Sequence, residues 1–328
     1  MGLLIDGVWR DDSHDTKRMQ DGRFVRPQTR YRNWVTADGS PGPTGEGGFA
    51  AARGRYHLYV ALSCPWAHRT IIFRRLKQLE DVVSMSVVEP IQGEQGWRFG
   101  TYPGTTPDTV NHKASLADVY LIADPRFSGR VTVPALWDKV RRTIVNNESA
   151  EIIRMLNSAF GRFTNVTTDY YPQSLCAEID QINELVYGTV NNGVYRAGFA
   201  TTQAAYDDAF TKLFATLDQI EERLSHQRYL AGAVITEADW RLFTTLIRFD
   251  AVYYVHFKCN LRRIVDYPNL SNYLRELYQV PGVAATVNMD HIKTHYYGTH
   301  RHLNPRGIIP RGPLLDFTAP HDRGRFTS

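Results

Sequence analysis

Residues 60–70, "VALSCPWAHRT", set a cysteine between an apolar run and a proline that opens a helix-compatible stretch. Upstream, "RYHLYVAL" (55–62) has the aromatic and β-branched content of a buried strand and no breaker. Downstream, "WAHRTIIFRRLKQLE" (66–80) repeats apolar residues at helical spacing and closes in charges. Cys64 is therefore expected at the amino-terminal edge of a helix. Proline suits the first helical turn, where its missing N–H loses no intrahelical bond. Unpaired backbone N–H groups and the positive end of the helix dipole favour an anion there. A thiol that ionises near about 8.5 in water can fall to about 3.5–7.5 in such a setting. His68 and Arg69 are expected to add positive charge nearby.

Outward from this stretch, "VVSMSVVEP" (82–90) is a second strand closed by proline, and 91–130 is a long insertion with a helical piece near "SLADVYLI". "VTVPALWD" (131–138) and "RRTIVNN" (141–147) follow as adjacent strands, and "ESAEIIRMLNSAF" (148–160) as a helix. The order β-α-β, insertion, β-β-α describes a mixed α/β domain. After about residue 165 strand signals vanish, and "QAAYDDAFTKLFATLDQIEERL", "TEADWRLFTTLIRFDAVYYVHF" and "NLSNYLRELYQV" carry 3.6-residue periodicity. The expected organisation is an irregular arm over 1–54, an α/β domain over 55–165, an all-helical domain over 166–297 and an irregular tail over 298–328.

The chain has 328 residues, enough for two domains with cores of their own, and its composition is that of an ordinary globular protein. A net charge of +4 without a long Lys/Arg block argues against nucleic acid as the main partner. No apolar run approaches the roughly 18–20 residues of a membrane span, and "MGLLIDGVWRDDSHD" does not have the build of a signal peptide. Three widely spaced cysteines make a poor disulfide framework and suit a reducing compartment. A cytoplasmic protein is expected.

Cys176 and Cys259 lie among apolar neighbours and are expected in helical core positions. Cys64 stands in C-P-W-A, with Ala67 where a dithiol oxidoreductase carries its second cysteine. A mixed disulfide at Cys64 would have no neighbouring thiol to resolve it, so a small external thiol is required. "TVPALW" sets Pro134 at the start of an interior strand, where proline is normally unwelcome. A cis Val133–Pro134 bond would turn the Val133 backbone outward to pair with a peptide ligand. "NNESAEII" puts Glu148 and Ser149 at a helix start, an anion site beside a carboxylate. Together these suit the amino-acid end of a γ-glutamyl group, and a helix cap built on Asn147 or Ser149 is the competing explanation. "HIKTHYYGTHRH" holds four histidines but no H-E-x-x-H, and is expected to form a surface or partly buried cluster without metal. "GEGGFA" has no preceding strand and makes no dinucleotide site.

Strand–Cys–helix, T-V-P and E-S at a helix start, followed by an all-helical half, resemble the glutathione transferase superfamily. "TEADWRLF" (236–243) strengthens the likeness, since Thr236 and Asp239 have capping-box spacing. "SCPWAHRT", Gly96–Trp97, "SGRVTVPALWD", "NNESAEIIRM", "NNGVYRAGFA" and "DHIKTHYY" are similar to the glutathionyl-hydroquinone reductases, the xi class. The resemblance implies a thioredoxin-like amino-terminal domain and an all-α carboxy-terminal domain. It implies Cys64 as nucleophile, and glutathione, a cosubstrate, held by Trp97, Arg130, Val133, Glu148 and Ser149. Tyr195 and Tyr296 would face the hydroquinone and take part in catalysis, with Tyr297 competing for the second role. It further implies a homodimer that needs no metal. A general transferase or deglutathionylating activity, or a non-catalytic binding protein on the same fold, are the alternatives.

Overall fold

A computed structural model describes residues 2–11 and 19–326. Among these, the chain forms two compact units: one of 2–11, Pro27–Thr168 and Thr286–Arg301, the other of 19–26, Asp169–Ala285 and 302–326.

The first unit is built on a four-stranded sheet. It carries the hairpin strands β1 (Gly2–Ile5) and β2 (Val8–Asp11), whereas β3 (Met19–Gln20) and β4 (Arg23–Phe24) belong to the second unit. The sheet is made of β5 (Tyr56–Val60), β6 (Ser84–Val87), β7 (Ala135–Asp138) and β8 (Thr143–Asn146), in the spatial order β6-β5-β7-β8. Helix α1 (Pro65–Leu76) is the crossover that lets β6 run parallel to β5, as a parallel pair requires. β7 runs antiparallel to β5, with Tyr59 opposite Ala135, and β8 returns antiparallel to β7. Every residue of β5 and β7 is buried, which is why these strands are mostly apolar and show no alternation with polar residues. Helix α2 (Leu116–Ala123) packs by β8, and α3 (Ser149–Ser158) packs against α1.

The arm before the sheet is less irregular than its composition suggested. Asp6 and Gly7 both have positive φ, 48° and 76°, and close the β1–β2 hairpin. Asp21 and Gly22, at 50° and 77°, do the same for β3–β4. An Asp-Gly pair is the residue choice a two-residue hairpin turn demands. Leu4 exchanges two 2.9 Å backbone bonds with Gly129, and Asn33 N–H donates to the Val145 carbonyl at 3.0 Å, so the arm lines the open edge of β8.

His57, fully buried in β5, bonds Ser84 through Nδ1 at 2.8 Å. Burial disfavours its imidazolium and lowers its pKa to about 4, with Lys139 acting in the same direction. The neutral ring is therefore the folded form, and its contribution is complete above about 6.5 and lost as pH falls towards 4. Up to about 3 kcal/mol of stability should disappear across that window. Urea denaturation at pH 7 and pH 4.5 checks this, and His57→Gln should remove that share of the loss.

The second unit is helical: α4 (Cys176–Val186), α5 (Gly193–Gly198), α6 (Gln203–His226), α7 (Glu237–Arg248), α8 (Tyr254–His256) and α9 (Pro268–Gln279). Wider π-type turns, Tyr187–Asn191 and Phe249–Tyr253, lead into α5 and α8. α7 is buried along its whole length and opens on the expected capping box of Thr236 and Asp239. The tail is irregular but anchored. The fully buried Arg323 guanidinium donates to the Leu224, Gln227 and Arg228 carbonyls at 2.5–2.6 Å. One last helix, α10 (Met289–Thr299), groups with the sheet and not with the other helices. No helix among the described residues is long and apolar enough to cross a membrane.

Candidate active site

Cys64 is the N-cap of α1, with extended backbone (φ −78°, ψ 122°), and Pro65 opens the helix. The Cys64 carbonyl accepts the first intrahelical bond from His68 N–H at 2.9 Å. No side chain caps this end and no acid stands in its first turn, so the positive dipole end of α1 is left uncompensated beside the half-buried Cys64. Cys64 Sγ lies 3.5 Å from the Val133 carbonyl oxygen. The Val133–Pro134 peptide is cis, as the sequence suggested. Pro134 stands one residue ahead of β7, not within it, so its missing N–H removes no ladder bond.

The two basic neighbours of the thiol are committed elsewhere. His68 is fully buried, and its Nε2 bonds Thr286 Oγ1 at 2.8 Å. The Arg69 guanidinium, also buried, lies 4.6 Å over the Trp66 ring and 3.4 Å from Ser149 Oγ. That last contact ties α1 to the start of α3. There Glu148 is the cap, in place of Asn147 or Ser149, and its carboxylate accepts from Ala150 N–H at 3.1 Å. Ser149 Oγ is 3.5 Å from that carboxylate. Hydroxyl, carboxylate and helix N-terminus thus meet at one point, as an amino-acid group with both charges needs.

Trp97 is buried and stacks on His295 of α10, with ring centroids 5.0 Å apart and planes 24° from parallel. His295 Nδ1 is 2.7 Å from the Pro90 carbonyl, which only accepts, so this nitrogen carries the hydrogen. The Tyr296 ring stands edge-on to His295 at 5.3 Å and to His300 at 5.5 Å, and is fully buried. Trp97 and Tyr296 therefore share His295 as a neighbour. Tyr297 is buried too, and desolvation pushes its phenol up to about 12. The histidines of this segment, expected at or near the surface, are interior at His291, His295 and His300. No group of three metal-ligating side chains occurs among the described residues. Arg130 is half-buried, beside the Gly129 that pairs with Leu4.

Tyr195 belongs to the second unit. Its ring lies among Phe24, Phe199, Tyr253 and Phe257, with centroids 5.4–6.4 Å away. The other two cysteines differ from expectation. Cys259 is buried but lies in the loop after α8, and burial raises its pKa far above that of a free thiol. Cys176 is the first residue of α4 and half-exposed, its thiol 3.4 Å from the Pro172 carbonyl. Neither shares the setting of Cys64.

The profile of the glutathione S-transferase N-terminal domain matches residues 63–159, and that of the C-terminal domain residues 203–276. An Escherichia coli protein named glutathionyl-hydroquinone reductase YqjG is 56% identical, over 98% of both chains. A Sphingobium chlorophenolicum protein named glutathionyl-hydroquinone reductase PcpF is 54% identical, over 95% of this chain and 96% of its own. The glutathione-bound structure of YqjG superposes with a TM-score of 0.91 at 54% identity, covering 98% of this chain and 99% of that one. A xi-class transferase from Natrialba magadii does so at 0.91 and 48% identity, covering 99% and 97%. This chain belongs to the xi class of the glutathione S-transferase family.

Two neighbours of the expected residues, one in each unit, carry little signal in the sequence. His295 lies in a histidine-rich segment expected to be without metal, yet it stacks on Trp97. Arg26 was submerged in an arm without periodicity, yet its guanidinium lies 5.0 Å over the Tyr195 ring. The one usable signal was the Asp21–Gly22 turn that folds this stretch back.

Proposed function

We propose that this xi-class transferase reduces glutathionyl-hydroquinones to hydroquinones, through a Cys64–glutathione disulfide that a second glutathione resolves. The observation that carries the proposal is the setting of Cys64. It is a half-buried thiol on the N-cap residue of a helix whose end no side chain caps, with Ala67 in place of a resolving cysteine. A helix N-terminus favours a thiolate, and a disulfide formed at Cys64 awaits an external thiol. The names of the E. coli and Sphingobium relatives support the same substrate class.

The Cys64 thiolate attacks the glutathione sulfur of the conjugate. A sulfur–sulfur bond forms, the carbon–sulfur bond breaks, and its electron pair stays with the ring carbon, which takes up a proton. Free hydroquinone leaves. Glutathione then attacks the mixed disulfide, releasing oxidised glutathione and restoring the thiolate. Val133 offers backbone bonds to the cysteinyl part of glutathione, and Glu148 and Ser149 take its γ-glutamyl end. Arg130 takes a carboxylate, and Trp97 covers the ligand. Tyr195 and Tyr296 contact the hydroquinone, a phenol of the pair supplying the proton. Support for these roles is the match of each residue to the class motifs, together with the cap geometry at Glu148 and the ring stack at Trp97. The class resemblance supports a homodimer, and the sparse cysteines suit a cytoplasmic site of action.

Steady-state turnover of the glutathione conjugate of menadiol tests the proposal. With both conjugate and glutathione varied, release of menadiol should follow ping-pong kinetics, with parallel double-reciprocal lines. Transfer of glutathione onto an electrophile, without turnover of the conjugate, would overturn it.

A further inference from the structure

The Asp21–Gly22 hairpin does more than shorten the arm. Thr201 N–H donates to the Gly22 carbonyl at 3.0 Å, and a Cβ on Gly22 would meet Thr202 Oγ1 at 2.5 Å. The turn therefore sits directly on the N-cap of α6, Thr202. From there the chain sets Phe24 against Phe199 at 5.4 Å and, two residues on, Arg26 against α5. Arg26 is held from two directions. Its Nε donates to Asn192 Oδ1 at 2.8 Å, and its guanidinium carbon lies 5.0 Å from the Tyr195 centroid and 5.6 Å from that of Phe24. Asn192 is itself buried and stands where the first π-type turn passes into α5. Insertions of this kind recur at functional positions. A planar cation is thus fixed over the face of a phenol, inside one compact unit, by a hairpin clasp and a buried amide.

We propose that Arg26 is a positioning residue for the reductase reaction, holding and polarising the Tyr195 phenol for the step in which the hydroquinone departs. The inference rests on the function proposed above and adds to it which residue readies the phenol. As Cys64 takes the glutathione sulfur, the electron pair of the broken carbon–sulfur bond remains on the ring carbon. That carbon takes the Tyr195 hydroxyl proton, and the phenolate left behind regains one from solvent. During the transfer negative charge builds on Tyr195, under a guanidinium that already faces its ring. Cation–π attraction strengthens as the ring gains electron density, so Arg26 stabilises the transition state more than the ground state. The second step, attack of glutathione on the mixed disulfide, involves no phenol and should not depend on Arg26.

The two half-reactions separate these consequences. In the first, enzyme and glutathionyl-menadiol are mixed without free glutathione, and menadiol release is followed in a single turnover. In the second, glutathione is added to the isolated mixed disulfide and oxidised glutathione is followed. Arg26→Met, which keeps the stem and removes the charge, should slow the first about tenfold and leave the second unchanged. Arg26→Lys should recover much of the loss, and Asn192→Ala should slow the first step alone, by less. Equal slowing of both steps by Arg26→Met, no slowing of either, or a lysine variant no better than methionine would overturn the role of Arg26. A wild type that releases no menadiol would overturn the reductase function, and this role with it.

Discussion

Cys64→Ala is expected to abolish release of hydroquinone from its glutathione conjugate, a fall of about a thousandfold or more, while the protein keeps its fold. The Cys64 thiol is the group proposed to accept the glutathione sulfur, and removing a covalent nucleophile takes with it every step built on the intermediate. Serine at the same place keeps an oxygen at the helix N-terminus. Its hydroxyl stays protonated at neutral pH, so Cys64→Ser should be almost equally inactive. Stability should change little, by about 1 kcal/mol or less, because Cys64 is half-buried and contributes little core volume. Glutathione should still bind both variants, since Val133, Glu148, Ser149 and Trp97, the residues proposed to hold it, are untouched. Product release and calorimetric glutathione binding, measured side by side, check the two halves of this expectation. Near-normal turnover in Cys64→Ala would mean that the chemistry runs through another group.

The second large effect concerns the fold. Asp239 is fully buried at the start of α7 and accepts four hydrogen bonds. Leu230 N–H donates at 2.9 Å, Thr236 N–H at 2.7 Å, Thr236 Oγ1 at 3.0 Å and Tyr273 OH at 2.8 Å. Burial pushes its carboxyl pKa up, and these donors pull it back. Asp239→Ala leaves four donors facing an empty site in the interior, and unsatisfied buried groups are expensive. A loss of about 3–5 kcal/mol is expected, a large part of what holds a domain together. Asp239→Asn should lie between, because its amide presents a donor where only acceptors fit. Urea denaturation of the three proteins measures it. A change below about 1 kcal/mol for the alanine variant would mean that water or a rearranged Tyr273 replaces the carboxylate.

The features legible in the sequence are those whose physics is local. A strand, a cysteine, a proline and a helix are neighbours along the chain, so the placement of Cys64 at an N-cap followed from adjacent residues alone. The same holds for the cis Val133–Pro134 bond ahead of β7, and for Thr236 and Asp239 three residues apart. The two Asp-Gly hairpins were equally local, and their turn signal was present. They are masked because the segments they join are too short to show alternation, and the Gly- and Pro-rich composition around them dominates. Other features depend on distant chain. The tail is anchored because the Arg323 guanidinium reaches three carbonyls near residues 224–228, and its own neighbours say nothing of them. His295 matters through Pro90 and Trp97, and Arg26 through Asn192 and Tyr195; each contact spans a separation that no spacing rule encodes. Cys259 shows the reverse case. Its apolar surroundings suggest a helical face, but α8 ends three residues earlier, at His256, and only the burial agrees with the expectation.

If Cys64 carries the glutathionyl group between the two half-reactions, it can be caught there. Wild-type protein is mixed with one equivalent of glutathionyl-menadiol in the absence of free glutathione, quenched in acid, digested and weighed. The peptide containing Cys64 should carry one glutathione in disulfide linkage, in an amount equal to the menadiol released, and later addition of glutathione should remove it as oxidised glutathione. Menadiol released without any adduct on that peptide, or an adduct on Cys176 in its place, would mean that Cys64 is not the carrier.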